Sequence, residues 1–267
     1  MKAKKKKQYN TAGTARNMAS IIYCLALFTL QLGCGKHQEN TTSEKTQQRE
    51  MPTSASFQEL GFFGNIKASM WPEFLEAVQH NVALSRRESG NMVFSLYQPE
   101  NEKLAPIWFE RFHTKSAHNF HKEQAYFQEA IAVIQRSLEG DAKAIRLLVL
   151  DEFPATLPIK AAEPARSRHV ITLYAVKEEK RQSFLQTMSP LIANSRKSTG
   201  NLEFNLYQHA EDAKVFVLIE GWKTRSHHEA NTDKEHVRKF GSQTKDFFVS
   251  KPSDTRWILK DISTKNQ

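Results

Sequence analysis

Two imidazole pairs, His118-x-x-His121 and the adjacent His227-His228, are the first side chains in this sequence with chemistry to offer. Imidazole titrates near neutral pH, so each ring is a candidate proton acceptor or donor, and paired rings can also hold a metal ion. A metal site needs a third ligand, and neither pair has one in view, so no metal is predicted. Two carboxylates, Glu110 and Glu220, fall on strand faces that are otherwise apolar. Burial there is costly unless a cation is close, and Arg146 and Arg256 are the candidate partners for a structural ion pair. No glycine-rich loop suited to cradling a phosphate is present.

The elements that must carry these residues occur twice. Sliding the chain by 110 residues sets Ser85–Gln98 on Ser195–Gln208, with eight of fourteen positions identical. Chance would give about one. The same offset pairs Glu110 with Glu220, Thr114 with Thr224, Ser116 with Ser226, His118 with His228, Arg146 with Arg256 and Asp151 with Asp261. An ungapped register over that length means a duplicated unit.

Each unit opens with an apolar stretch, expected as a strand over Phe62 to Ala68 and Val170 to Val176. Large apolar side chains then recur at three- and four-residue spacing (Phe74, Leu75, Val78, Val82; Phe184, Leu185, Met188, Leu191, Ile192), which predicts a helix. Pro72 suits a first helical turn, Pro190 should kink the second helix, and Gly90 and Gly200 are expected as left-handed caps. Two alternating strands follow. Met92, Phe94 and Leu96 share one face of the first, matched by Leu202, Phe204 and Leu206. In the next, Trp108, Glu110 and Phe112 oppose Ile107, Phe109 and Arg111, so both faces are covered. A helix (Glu123 to Leu138; Lys234 to Phe248) and a last strand (Ile145 to Phe153; Thr255 to Ile262) complete a β-α-β-β-α-β unit. The fold class is therefore α+β, with two tandem ferredoxin-like units, 57–153 and 168–262, joined by a linker at 154–167. Each unit leaves one sheet face bare, so the two are expected to close on each other as an intramolecular pseudo-dimer, a dimeric α/β-barrel in one chain.

The N-terminal region carries six Lys/Arg and no acid, then a 15-residue apolar run, Met18 to Leu32, then Gly33-Cys34-Gly35. Basic, apolar and small in that order is a bacterial signal peptide, and the run is short of the ~20 residues a spanning helix needs. Leu32-Gly33-Cys34 resembles the lipobox of bacterial lipoproteins, whose cysteine is lipidated. Families of that kind carry Leu where Gln31 stands here, and an ordinary secretory signal is the alternative. Cleavage after residue 33 lowers the net charge from +9 to +3, which removes the main support for nucleic-acid binding. Cys24 leaves with the leader, so thiolate metal sites, disulfides and a cysteine nucleophile are excluded. Residues 34–56 hold too little apolar surface to fold and are expected to be a disordered tether. The localisation expected is the bacterial cell envelope, exported and lipid-anchored to a membrane at Cys34.

Glu110-Arg-Phe112, Ser116-Ala117, His121 and Phe127, after the Ser-Gly-Asn turn, together resemble the antibiotic biosynthesis monooxygenase family of dimeric α/β barrels. That family usually shows a Glu-x-Trp, a short loop with alanine, a histidine opening the second helix and a following Phe. The second unit keeps the Trp in Glu220-Gly-Trp222, places Asn231 where His121 stands, and has His236 five residues on. The resemblance implies His121 as proton acceptor, Trp222 as a pocket wall that stacks on an aromatic ligand, and Asn231 and His236 as site residues by position. It implies a cofactor-independent monooxygenase acting on a small aromatic or quinol-type molecule. A non-catalytic module binding a hydrophobic aromatic ligand is one alternative, and heme binding or degradation through His121 is another.

If the lipoprotein reading holds, radiolabelled palmitate is incorporated into the expressed chain, and Cys34→Ser abolishes the label while leaving expression unchanged.

Overall fold

The computed structural model describes residues 56–264. The leader 1–33, the lipidation residue Cys34 and the tether up to residue 55 lie outside the described residues.

The first unit runs β1 (Phe57–Phe62), α1 (Trp71–Ser85), β2 (Asn91–Pro99), β3 (Ile107–Phe112), α2 (Lys115–Glu123), α3 (Ala125–Ser137) and β4 (Lys143–Val149). The second repeats it as β5 (Arg168–Ala175), α4 (Arg181–Arg196), β6 (Asn201–His209), β7 (Val215–Trp222), α5 (Arg225–Thr232), α6 (Glu235–Gln243) and β8 (Arg256–Asp261). All eight strands close into one barrel in the order β1-β3-β2-β8-β5-β7-β6-β4. The two seams between units are β2 with β8, through Tyr97↔Asp261 to Pro99↔Leu259, and β4 with β6, through Leu147↔His209 to Val149↔Tyr207. The fold is thus the paired ferredoxin-like barrel that the two-faced strands require.

Three apolar clusters follow from strand alternation. Leu60, Ile107, Phe109 and Leu147 of the first unit meet Ile171, Tyr207, Val217, Ile219 and Leu259 of the second inside the barrel. Burying such side chains fully stabilises by ~1.5–3 kcal/mol each. The opposite strand faces lie under helices. α1 and α3 set Phe74, Val78, Val82 and Ile134 on Phe94 and Leu96, while α4 and α6 set Phe184, Met188, Leu191 and Phe240 on Phe204, Leu206, Phe216 and Trp222.

Four local expectations are corrected. The first strand is Phe57–Phe62, not Phe62 to Ala68, because Leu60 and Phe62 alternate inward while Gln58 and Glu59 hide the apolar pattern. The expected second helix is present as α3 and α6, the latter ending at Gln243 rather than Phe248, and a further short helix that was not expected, α2 or α5, precedes it in each unit. Thr114 Oγ1 accepts from the Ala117 amide at 3.0 Å and starts α2, and extended backbone at Gln124 separates α2 from α3. Met92 does not share a face with Phe94, since a bulge between Asn91 and Val93 turns it toward the barrel interior. Gly200 has φ 78°, whereas Gly90 is not at positive φ. Gly90 is small for a steric reason, as a Cβ there would collide with the Ala117 methyl.

Gly61 on β1 is demanded by the Trp108 indole, which occupies the place a Cβ would take. Gly61→Ala is expected to destabilise the fold by about 1–3 kcal/mol through overpacking. In the Trp108→Ala background the same substitution should cost far less, which a double-mutant cycle in denaturant measures.

Candidate functional site

The outer face of the first sheet presents one polar row beneath α2 and α3. Cross-strand register aligns Phe94 on β2, Glu110 on β3, Glu59 on β1 and Arg146 on β4. The equivalent row of the second unit is Phe204, Glu220, Val170 and Ile258. One carboxylate and one guanidinium in the first unit are therefore replaced by aliphatic side chains in the second.

Onto this row α2 lowers two histidines a turn apart, both buried. His118 Nε2 lies 3.2 Å from Glu110 Oε1, with its ring stacked on Phe57 at 3.6 Å between centroids. His121 has no exposed surface, and its Nδ1 lies 2.7 Å from Glu88 Oε1. Glu88 comes from the turn after α1 and accepts a second hydrogen bond from the Tyr126 hydroxyl of α3. Rings of Phe94, Phe112 and Phe127 surround His121 at 5.0–5.9 Å. Each histidine thus has one nitrogen against a carboxylate, while His118 Nδ1 and His121 Nε2 are buried with no partner among the described residues. Buried polar atoms are seldom left so. With a proton on Nδ1 donated to Glu88, Nε2 of His121 carries a lone pair facing an aromatic layer, the arrangement of a general base held in one tautomer.

Burial governs the charges. It pushes both Glu110 and Glu59 up to about 7, the Glu110 charge adding to the rise at Glu59. Burial also drives His118 down to about 3, so that ring is neutral at physiological pH. Arg146 lies over the Phe57 ring at 3.5 Å and holds the row's positive end. The expected structural ion pair of Glu110 with Arg146 is thus a cross-strand neighbourhood shared with Glu59, and the direct partner of Glu110 is His118.

The residues singled out from the sequence fall into two separate layers. His121 lies in the first. Trp222, Asn231 and His236 lie in the second, at the positions that Phe112, His121 and Tyr126 hold in the first. Trp222 is fully buried and its indole N–H donates to Glu220 Oε2 at 3.2 Å. Asn231 Oδ1 accepts from Ser198 Oγ at 2.8 Å, and His236 Nε2 lies 3.2 Å from Ser195 Oγ. Ser198 stands 110 residues after Glu88, so the Glu88–His121 pair of one unit is a Ser198–Asn231 pair in the other. Arg256, expected beside Glu220, lies 3.2 Å from His228 Nε2. With burial and that cation, His228 drops to about 4.

Glu88, Glu59 and Tyr126 were missed in reading the sequence. The signal for Glu88 was present: at the repeat offset Glu88 and His121 change together, to Ser198 and Asn231, which marks a contact. Nothing local marks Glu59, whose neighbourhood arises from strand pairing.

The model of a family described as antibiotic biosynthesis monooxygenase matches residues 65–133 and 167–243, one segment in each unit. Over 79 residues the chain is 30% identical to "Putative monooxygenase YcnE" of Bacillus subtilis (strain 168), a match covering 30% of this chain and 82% of that relative. The crystal structure of a "putative monooxygenase" from Fusobacterium nucleatum aligns with TM-score 0.72 at 17% identity, over 78% of this chain and 93% of that one. A "putative monooxygenase" from Lactobacillus acidophilus aligns with TM-score 0.65 at 13% identity, over 78% and 94%. An "anthrone oxidase-like protein" gives 0.54 at 12%, over 77% and 91%. At such identities these three structures speak to the fold, and each match spans both units.

A carboxyl raised from the unfolded value to about 7 favours the fold while protonated, so its contribution is complete below pH ~4.5 and lost as pH rises through 7. Glu110→Gln removes that loss. Its melting temperature relative to the parent is expected to rise by about 2–4 °C or more between pH 5 and pH 8, as roughly 1 kcal/mol would give. A difference that stays flat with pH would show Glu110 ionised throughout.

Proposed function

This chain belongs to the antibiotic biosynthesis monooxygenase family, and on that premise we propose that it oxidises a small electron-rich aromatic or quinol-type substrate with dioxygen, without an added cofactor. The reaction is assigned to the layer between the first sheet and the α2–α3 pair. The single observation that carries this is His121: fully buried, held by Glu88 on one nitrogen, and unpartnered on the other among aromatic rings.

A phenol whose proton passes to His121 Nε2 becomes a phenolate in an apolar surround. Such an anion can give one electron to dioxygen, and recombination of the pair forms the C–O bond. Loss of water from the resulting hydroperoxide leaves a carbonyl, so a CH2 group and one O2 become C=O and H2O. Glu88 stabilises the imidazolium formed in the first step, and Phe94, Phe112 and Phe127 supply the flat walls. The second layer offers an amide at Asn231 in place of this base, so catalysis is assigned to the first unit alone. Export and lipidation at Cys34 are part of the same proposal, placing the fold beside a membrane where quinol-type molecules partition.

Dioxygen uptake by the full chain against hydroquinols and anthrones, corrected for autoxidation and for peroxide, is the test. His121→Ala is expected to lower kcat by about 10²–10⁴-fold, the usual worth of a general base. Glu88→Gln should lower it by a smaller factor. Saturable ligand binding with no protein-dependent uptake would instead mean a non-catalytic aromatic-binding module.

A further inference from the structure

We propose that the mouth of the barrel is a second small-molecule site, one that takes an amine carried on a compact apolar body. It is separate from the His121 layer, which lies on the outside of the sheet.

A cavity of about 810 Å³ opens there between β2, the starts of β5 and β6, and the linker. Its walls include Val93, Tyr97, Pro158 and Leu202, and its polar members include His169 and Glu203. Those two stand in one cross-strand row, His169–Gly221–Glu203, on the inward face. The first unit's equivalent row is Gln58–Arg111–Val93. Where the first unit fills its share of the mouth with Arg111, the second has a glycine with no side chain, and a Cβ there would stand 3.3 Å from His169 Nδ1 and 3.4 Å from Glu203 Cβ.

The anchors are unusually bare. Glu203 is 2% exposed and accepts one hydrogen bond, from Asn205 Nδ2 at 2.8 Å. No cation among the described residues forms an ion pair with it. Arg111 and Arg196 are near, but Arg111 donates to the Thr156 carbonyl and Arg196 to the carbonyls of Phe204 and Pro154 and to Asn205. A buried carboxylate without an ion partner is costly, and burial pushes Glu203 up to about 7. His169, 8% exposed, has Nε2 near Ser167 Oγ at 3.2 Å and Nδ1 without a partner. The lining also carries Arg86, Lys160, Glu163, Arg166 and Asp261, but His169 and Glu203 are the buried pair that converges beside the apolar walls, as the few placed polar groups of a small-molecule site do. An ammonium group satisfies Glu203 in both charge and hydrogen bonding, which a carboxylate ligand cannot do.

The linker makes the site possible once per molecule. Thr156 N–H donates to Asn205 Oδ1 at 3.0 Å and Ile159 N–H to the Leu202 carbonyl at 2.9 Å, so the strap is tied to β6 and roofs one side of the mouth. A barrel of two separate chains would have no such strap.

Calorimetric titration of the full chain with 1-naphthylmethylamine and with 1-naphthylacetate tests this. The amine is expected to bind saturably at one site per chain and the carboxylate not to bind. Glu203→Gln, which keeps the volume and the Asn205 bond, should weaken the amine at least tenfold. Ala161→Trp, a linker position outside the packed core, should abolish binding by filling the cavity, with melting temperature checked for both variants. Absence of amine binding, equal binding of the carboxylate, or full affinity in either variant would overturn the proposal.

Discussion

The rest of this structure depends on one unmet need. A β-α-β-β-α-β sheet has two apolar faces and helices enough for one, and its two outer strands leave backbone donors and acceptors unpaired. Placing two units in one chain meets both requirements at once. The bare faces bury Phe109, Leu147, Tyr207 and Val217 against one another, and β2 with β8 and β4 with β6 close the edges into a barrel. With the ring closed, each strand has a fixed inward and outward face, and every polar group on it is committed to a definite environment.

That commitment makes the outer layers chemically interesting. Glu59 and Glu110 sit under helices on a face that alternation forces into the protein, and His118 and His121 reach that face from α2. Burial rather than any single partner is then the largest influence on Glu59, Glu110 and His118. The helical cover over that outer face thereby holds His118 neutral and raises the two carboxyls toward neutrality. His121 is oriented differently, by a direct bond to Glu88.

Duplication within one chain also lets the halves differ. A symmetric dimer must carry every substitution twice, whereas here Glu88, His121 and Tyr126 are matched by Ser198, Asn231 and His236. Both sets are hydrogen-bonded, so packing is satisfied in each, but only the first keeps an imidazole backed by a carboxylate. The same freedom puts Arg111 in one inward row and Gly221 in the other, and hangs a single linker over one side of the barrel mouth.

Much of the architecture was legible in the sequence because it rests on short-range periodicity and on repetition. The 110-residue offset, the two-faced strands and the helical spacing of Phe74, Val78 and Val82 are local facts, and two bare faces in one chain leave closure as the economical solution. Local reading failed where polar residues interrupt the pattern, as at Gln58 and Glu59 in β1, where a side-chain cap starts a short polar helix, as at Thr114, and where a bulge turns Met92. His121 stood out by its place in the chain, but its meaning depends on Glu88, 33 residues away, and on burial that no window of sequence contains. Likewise Glu59, Glu110 and Arg146 become neighbours only through strand register, and Glu203 faces His169 only across Gly221. Composition and spacing set which groups exist; pairing across the barrel decided which of them meet, and how dry their meeting place is.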